Sequence, residues 1–119
     1  MSSIAIGVTA SHTTLMNTKW DEVAHLERAN DYRNALGEAR RRIAASGADV
    51  AVVVGSNHFR GFWLDLMPSF TLGVGEVIAA GEHGTPKGPQ ATDPKLAMAL
   101  LDGLHAADFD VAFSANLQV

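Results

Sequence analysis

The chain has no cysteine among its 119 residues. That excludes disulfides, thiolate nucleophiles and cysteine-built zinc or iron–sulfur sites within it, so a metal would be held by histidine, carboxylate or water. Long apolar runs are missing too. Nothing approaches the roughly 18 consecutive apolar residues of a membrane span, and no basic stretch leading into an apolar one opens the chain. Neither a membrane partner nor a signal peptide is expected, and the cytoplasm is the default location. Basic charge is scarce: nine Lys and Arg against thirteen Asp and Glu give a formal charge of −4. The one basic cluster, Arg40-Arg41-Arg42, closes a predicted helix, where cations favour the dipole. No nucleic-acid partner is expected.

What remains is a composition of 47% hydrophobic and 18% charged residues, which suits a folded globular chain of one domain or part of a larger one. Two short apolar runs read as buried strands: Ile4-Ala5-Ile6-Gly7-Val8-Thr9 and Val50-Ala51-Val52-Val53-Val54. Between them, residues 30–47 read as a helix. Ala35, Leu36, Ala39 and Ile43 share its apolar face, Asn30 or Asp31 can cap its start, and Gly47 suits the position after its end. Strand, helix, strand in this length predicts a right-handed βαβ unit with parallel strands.

Further along, Phe62, Leu64 and Leu66 alternate, as do Phe70, Leu72 and Val74, which predicts two extended pieces broken at Pro68. Residues 79–93 read as a loop rich in glycine and proline, and Gly73-Val74-Gly75 as strand termination. Asp93-Pro94 opens a second helix as cap and first residue, with Ala97, Leu100, Leu101 and Leu104 as its stripe. Residues 109–119 form a last strand candidate. The predicted class is α/β, a mixed or mostly parallel sheet with crossover helices. Residues 1–119 are expected to form a single incomplete domain.

Each of the two apolar runs is followed at once by a histidine, His12 and His58. In open parallel sheets ligands bind outside the carboxyl ends of the strands, and neighbouring strands lie about 4.8 Å apart. Two imidazoles on that rim could form half of a metal site, and neutral imidazoles suit Zn, Fe, Cu or Ni. Each also has an ordinary explanation as a hydrogen-bonded surface residue. Asp65 alternates with apolar neighbours, so it either faces solvent or lines a site. His25, His83 and His105 read as surface residues, and no serine sits in a nucleophile elbow.

Several segments carry a resemblance. Ala10-Ser11-His12-Thr13-Thr14, Gly55-Ser56-Asn57-His58-Phe59, residues 65–75 from Asp65-Leu66-Met67-Pro68 to Gly73-Val74-Gly75, and Ala115-Asn116-Leu117-Gln118-Val119 together resemble the class III extradiol ring-cleavage dioxygenases. The resemblance covers the whole chain, but only the N-terminal two-fifths or so of a catalytic subunit of that family. It implies that His12 and His58 are two ligands of a non-haem Fe(II), with the third ligand, a glutamate, absent from this chain. The general base of the family is expected just after Val119, so no catalytic base falls within these residues. Thr13 departs from the small or proline-containing sequence that commonly follows the first histidine.

The activity so implied is extradiol cleavage of a catecholic aromatic by Fe(II) and O2, with this chain alone weakly active or inactive. Asn57, Phe59 and Asp65 are the expected substrate-binding residues. The expected partners are the catechol, O2 and the missing C-terminal part or a second chain, in a homo-oligomer. Two other functions stay open on the residues alone: a non-catalytic relative acting as a binding module, and a zinc-dependent hydrolase using the same histidines.

Overall fold

A computed structural model describes residues 3–11, 18–56, 58–81 and 85–119. Two compact units divide the chain, Met1–Val52 and Val53–Val119.

The first unit is built on α1 (Leu26–Ala45), 20 residues long and preceded by a short 3-10 turn at Trp20–Glu22. The helix begins several residues before the predicted Asn30 or Asp31 cap. His25 takes the cap position without a side-chain bond, and the Ala29 amide donates to the His25 carbonyl at 3.1 Å. Its end falls where glycine allows it: Gly47 has φ 70°, and Ser46 Oγ donates to the Ile43 carbonyl at 2.7 Å. Such a left-handed residue after the last turn is the usual way to satisfy terminal carbonyls. The Arg33 guanidinium sits over the Trp20 ring, 3.3 Å from its centroid, which fixes the 3-10 turn against the helix. Only Ala29 of the helix is buried, and Leu36 and Ile43 of the predicted apolar face are exposed.

Glu38 accepts from Arg42 Nε at 2.8 Å and from Arg41 Nε at 3.1 Å. The hydrogen bond from Arg42, then that from Arg41, holds the Glu38 carboxyl below the ordinary carboxylate range. A lowered folded pKa adds stability above the ordinary value, and that contribution is lost as pH falls through the lowered one. Glu38→Gln should therefore reduce the helical circular dichroism slightly at neutral pH, with the difference from the parent vanishing in strong acid. A difference that persisted in acid would contradict this assignment. The effect is small because the pairs lie at the surface.

The second unit holds a three-stranded sheet in the order β2-β1-β3, with β1 at Thr71–Ala80, β2 at Lys87–Gln90 and β3 at Ala112–Gln118. Strand β1 pairs antiparallel with β2 and parallel with β3, so the sheet is mixed and the class is α/β, as predicted. Between β2 and β3 runs α2 (Pro94–Ala106), capped as predicted: Asp93 Oδ1 accepts from the Leu96 amide at 3.0 Å and Pro94 opens the helix. Its stripe covers the sheet. Val74, Leu101 and Val111 are buried together, with Leu72, Ala97 and Leu104 packed around them. His105 Nε2 lies 2.8 Å from the Val111 carbonyl and ties the end of α2 to the approach of β3.

Three expectations change here. The segment predicted as a loop contains the end of β1 and all of β2, because Ala79 and Ala80 find partners in Gly88 and Lys87. Gly73 and Gly75 do not terminate a strand. They lie inside β1, where it runs closest to β3 and the pairing register shifts between Gly73 and Glu76. The alternating piece at residues 62–66 is a turn, closed by the Leu66 amide on the Trp63 carbonyl at 3.0 Å.

The largest difference concerns the two histidine-bearing runs. Among the described residues, neither residues 4–9 nor residues 50–54 belong to a sheet, and the predicted βαβ unit does not form. Ile4, Val53 and Val54 are 93%, 87% and 92% exposed. The physical reason is that β-branched apolar sequence favours a strand only when a neighbouring strand supplies hydrogen bonds and cover. The parallel pair appears instead between β1 and β3.

Candidate metal centre

His58 lies in a turn just past the exposed valine run. It and Phe59 both have left-handed backbone, with φ 49° and 55°. Histidine tolerates that region better than most residues, whereas phenylalanine is an outlier there, and such outliers gather at functional sites. The imidazole is held locally: Ser56 Oγ and His58 Nε2 are 2.8 Å apart, with donor and acceptor set by the ring tautomer. The sequence signal for this partner is weak: a hydroxyl two residues away is a common local hydrogen-bonding pattern.

His12 and Asn57, predicted as metal ligand and substrate contact, lie outside the described residues. The neighbour of His12 is described. Ser11 accepts a hydrogen bond on its carbonyl from the Tyr32 hydroxyl of α1, which anchors the backbone at Ser11. No sequence signal marks a contact between residues 21 apart.

Phe59 and Trp63 place their ring centroids 6.3 Å apart at an interplanar angle of 33°, and both are exposed. This tilted pair presents aromatic surface beside His58. Asp65 is exposed in the turn that follows, not in a strand. His25 and His105 have the structural roles already described.

A shallow cavity of about 330 Å³ opens at the carboxyl end of β1, where Ala80, Gly81, Pro86, Gln90 and Val119 meet Arg60, two residues past His58. Carboxyl ends of strands are where α/β sheets bind ligands. Its walls are mainly apolar, and among the described lining residues Arg60 is the one that carries a formal charge.

Among the described residues no three of His, Asp and Glu stand close enough to hold a metal. His58 offers an imidazole nitrogen of the kind that borderline divalent ions take, so these residues fit one ligand position of such a centre. Among them, too, no helix is long and apolar enough to cross a membrane.

No family model matches the sequence. Curated proteins do. The chain is 35% identical over 109 residues to a 2,3-dihydroxyphenylpropionate/2,3-dihydroxicinnamic acid 1,2-dioxygenase of Klebsiella pneumoniae (strain 342), covering 92% of this chain and 33% of that protein. This chain is a relative of those dioxygenases. The proteins of the same name from Paraburkholderia xenovorans and Mycolicibacterium smegmatis are 38% identical over 81 residues and 28% identical over 109. They are matched over 68% and 92% of this chain, and over 25% and 34% of their own length. The resemblance carried by the histidine segments and by residues 65–75 thus points to the same dioxygenases as whole-sequence similarity. The chain spans about a third of the length of the curated relatives it matches.

Proposed function

We propose that this chain is the N-terminal part of an extradiol dioxygenase that opens a catechol ring with Fe(II) and O2, with His12 and His58 supplying two of the three iron ligands. The observation that carries the reading is the 35% identity over 92% of the chain to a dioxygenase whose named substrates are catechols bearing an acid side chain. The third ligand and the general base come from polypeptide outside these 119 residues. Fe(II), when bound, would serve as a template and electron conduit for the catechol oxygens and O2.

The chain's own residues have separable tasks in this scheme. Ser56 restrains rotation of the His58 ring through the Nε2 contact. Phe59 and Trp63 offer apolar faces to a flat ring, in keeping with the mostly apolar walls of small-molecule sites. Asn57, next to His58 in the chain, and Asp65 are the polar groups assigned to orienting His58 or the substrate hydroxyls. Arg60 gives the apolar cavity a cation suited to a substrate carboxylate.

The test is reconstitution. The 119-residue chain is combined with the two thirds of the Klebsiella pneumoniae relative outside the match and loaded anaerobically with Fe(II). Oxygen uptake is then followed with 2,3-dihydroxyphenylpropionate, protocatechuate and gallate. The expected result is uptake that requires both polypeptides and iron, with a ring-opened product. Robust cleavage by the 119-residue chain alone, or zinc-dependent turnover without oxygen consumption, would overturn the reading.

A further inference from the structure

The cavity at the carboxyl end of β1 has two kinds of surface. Its described lining residues all belong to the Val53–Val119 unit, and its floor is the last rung of the sheet. The Ala80 amide donates to the Val119 carbonyl at 2.7 Å and the Val119 amide to the Ile78 carbonyl at 3.0 Å, so these backbone groups are already satisfied. Ala79, Ala80, Pro86 and Val119 make the lining mainly apolar, and Gln90 of β2 turns its side-chain amide to the Gly88 carbonyl at 2.9 Å. Arg60 brings charge to this apolar surface. A second cation is close by: the stem of Lys87 lies against Gly81, where an added Cβ would come within 2.6 Å of the Lys87 Cβ. Among the described residues the lining holds no carboxylate, and Lys87 enters no ion pair. At about 330 Å³ the cavity reaches the small end of ligand sites.

We infer that this cavity is the subsite for the acid arm of the substrate, a carboxylate on a short apolar chain, and that Arg60 is the residue that selects for it. The inference rests on the reading of the chain as part of a catechol-cleaving dioxygenase, and it assigns to one residue the choice among catechols. Methylene groups of such an arm gain by leaving water for the alanine, proline and valine walls. The carboxylate at its end meets a guanidinium whose planar fork matches two carboxylate oxygens, and the field of Lys87 has the same sign. A neutral arm gains only the apolar contribution. A cationic arm is repelled by both side chains. Arg60 also follows directly on Phe59, so the aromatic surface offered to the ring and the cation offered to the arm come from adjacent positions.

The experiment titrates the iron-free 119-residue chain, followed by NMR, with compounds of one shape and different charge: 3-phenylpropionate, 3-phenylpropan-1-ol and 3-phenylpropylamine. The expected result is saturable shifts at the Arg60 side chain and at the Ala80 and Gly81 amides. The acid should bind about tenfold or more tightly than the alcohol, as a charge-assisted pair allows, and the amine most weakly. Arg60→Gln should bring the acid down to the level of the alcohol, and Arg60→Lys, which keeps the charge without the fork, should fall between. In the reconstituted assembly Arg60→Gln should lower kcat/KM for 2,3-dihydroxyphenylpropionate relative to 3-propylcatechol by about tenfold, through KM, with the iron retained. Equal binding of acid and alcohol by the parent chain, shifts confined to other residues, or no saturable shift would overturn the inference whatever the variants do. Undiminished acid binding in a folded Arg60→Gln chain would do the same. Acid binding in the expected order without oxygen uptake in the assembly would count against the proposed chemistry and leave the subsite standing. Uptake indifferent to the acid arm would do the reverse.

Discussion

His58→Asn in the reconstituted assembly should abolish ring cleavage, with turnover falling about a thousandfold or more and iron content falling with it. The magnitude follows from what a metal ion contributes as Lewis acid and template, several kcal/mol of transition-state stabilisation, each ~1.4 kcal/mol being tenfold in rate. Asparagine is the informative replacement because residue 58 has φ 49°, a left-handed conformation that asparagine accepts with little strain and that alanine does not. His58 is exposed, so removing its ring costs the fold little, and the thermal midpoint should stay near that of the parent. His12→Ala is expected to match it in iron loss, whereas His105→Asn should keep the iron and lower stability, because His105 bonds to the Val111 carbonyl. Iron retained at parental level in both His12→Ala and His58→Asn would remove the dioxygenase mechanism proposed for this chain. Metal content is the deciding readout, since it separates a lost ligand from a disturbed substrate pocket.

The largest effect on stability is expected from Gly75→Ala. A Cβ at this position would lie 2.3 Å from the Ala115 carbonyl oxygen and 3.1 Å from its carbon, both backbone atoms of β3. A flexible side chain could swing aside; a strand carbonyl within the parallel ladder cannot move without parting β1 from β3. Overpacking of this kind costs about 3 kcal/mol, and at ~4 °C per kcal/mol for a domain of this size the midpoint should drop by about 12 °C. Gly73→Ala is the nearby control. Its Cβ would meet the Leu117 Cδ2 at 3.1 Å, the end of a side chain that can rotate, so the loss should be clearly smaller. Gly37, inside α1 with nothing within 4 Å, gives the opposite sign, because alanine in a helix interior is better than glycine by roughly 0.5–1 kcal/mol. Equal midpoints for Gly75→Ala and Gly73→Ala would mean that the close approach of the two strands is not what requires glycine.

How much could be read in advance depended on the range of the interactions. The second helix was legible from Asp93-Pro94 and its leucine stripe, because capping and i to i+4 bonding join residues a turn apart. The first was legible in its body and at Gly47, but not in its start. The missing side-chain cap at His25 leaves no local signal there, and the Trp20–Arg33 contact that steadies that end comes from outside the helix. Of the candidate site, His58 and its aromatic neighbour Phe59 were marked by position after an apolar run. Ser56 lies within the same short segment, but a serine two residues from a histidine carries no distinctive sequence signal. The Tyr32 contact to Ser11 and the place of Arg60 at the end of β1 link distant residues and left no trace in local pattern.

By itself the sequence determined the α/β class, the two helices, the exclusion of cysteine chemistry and, through the histidine segments and residues 65–75, the kinship with ring-cleavage dioxygenases. Only the tertiary structure decided which extended segments become strands. Residues 50–54 are the most strand-like stretch of the chain and stay outside the sheet, while Lys87-Gly88-Pro89-Gln90, a poor strand by composition, is inside it. It also turned two glycines from apparent strand ends into the contact that lets β1 and β3 pair. The reason is the same in each case. A helix satisfies its backbone within one segment, but a strand exists only through a partner, and the partner is chosen by packing that no single segment contains.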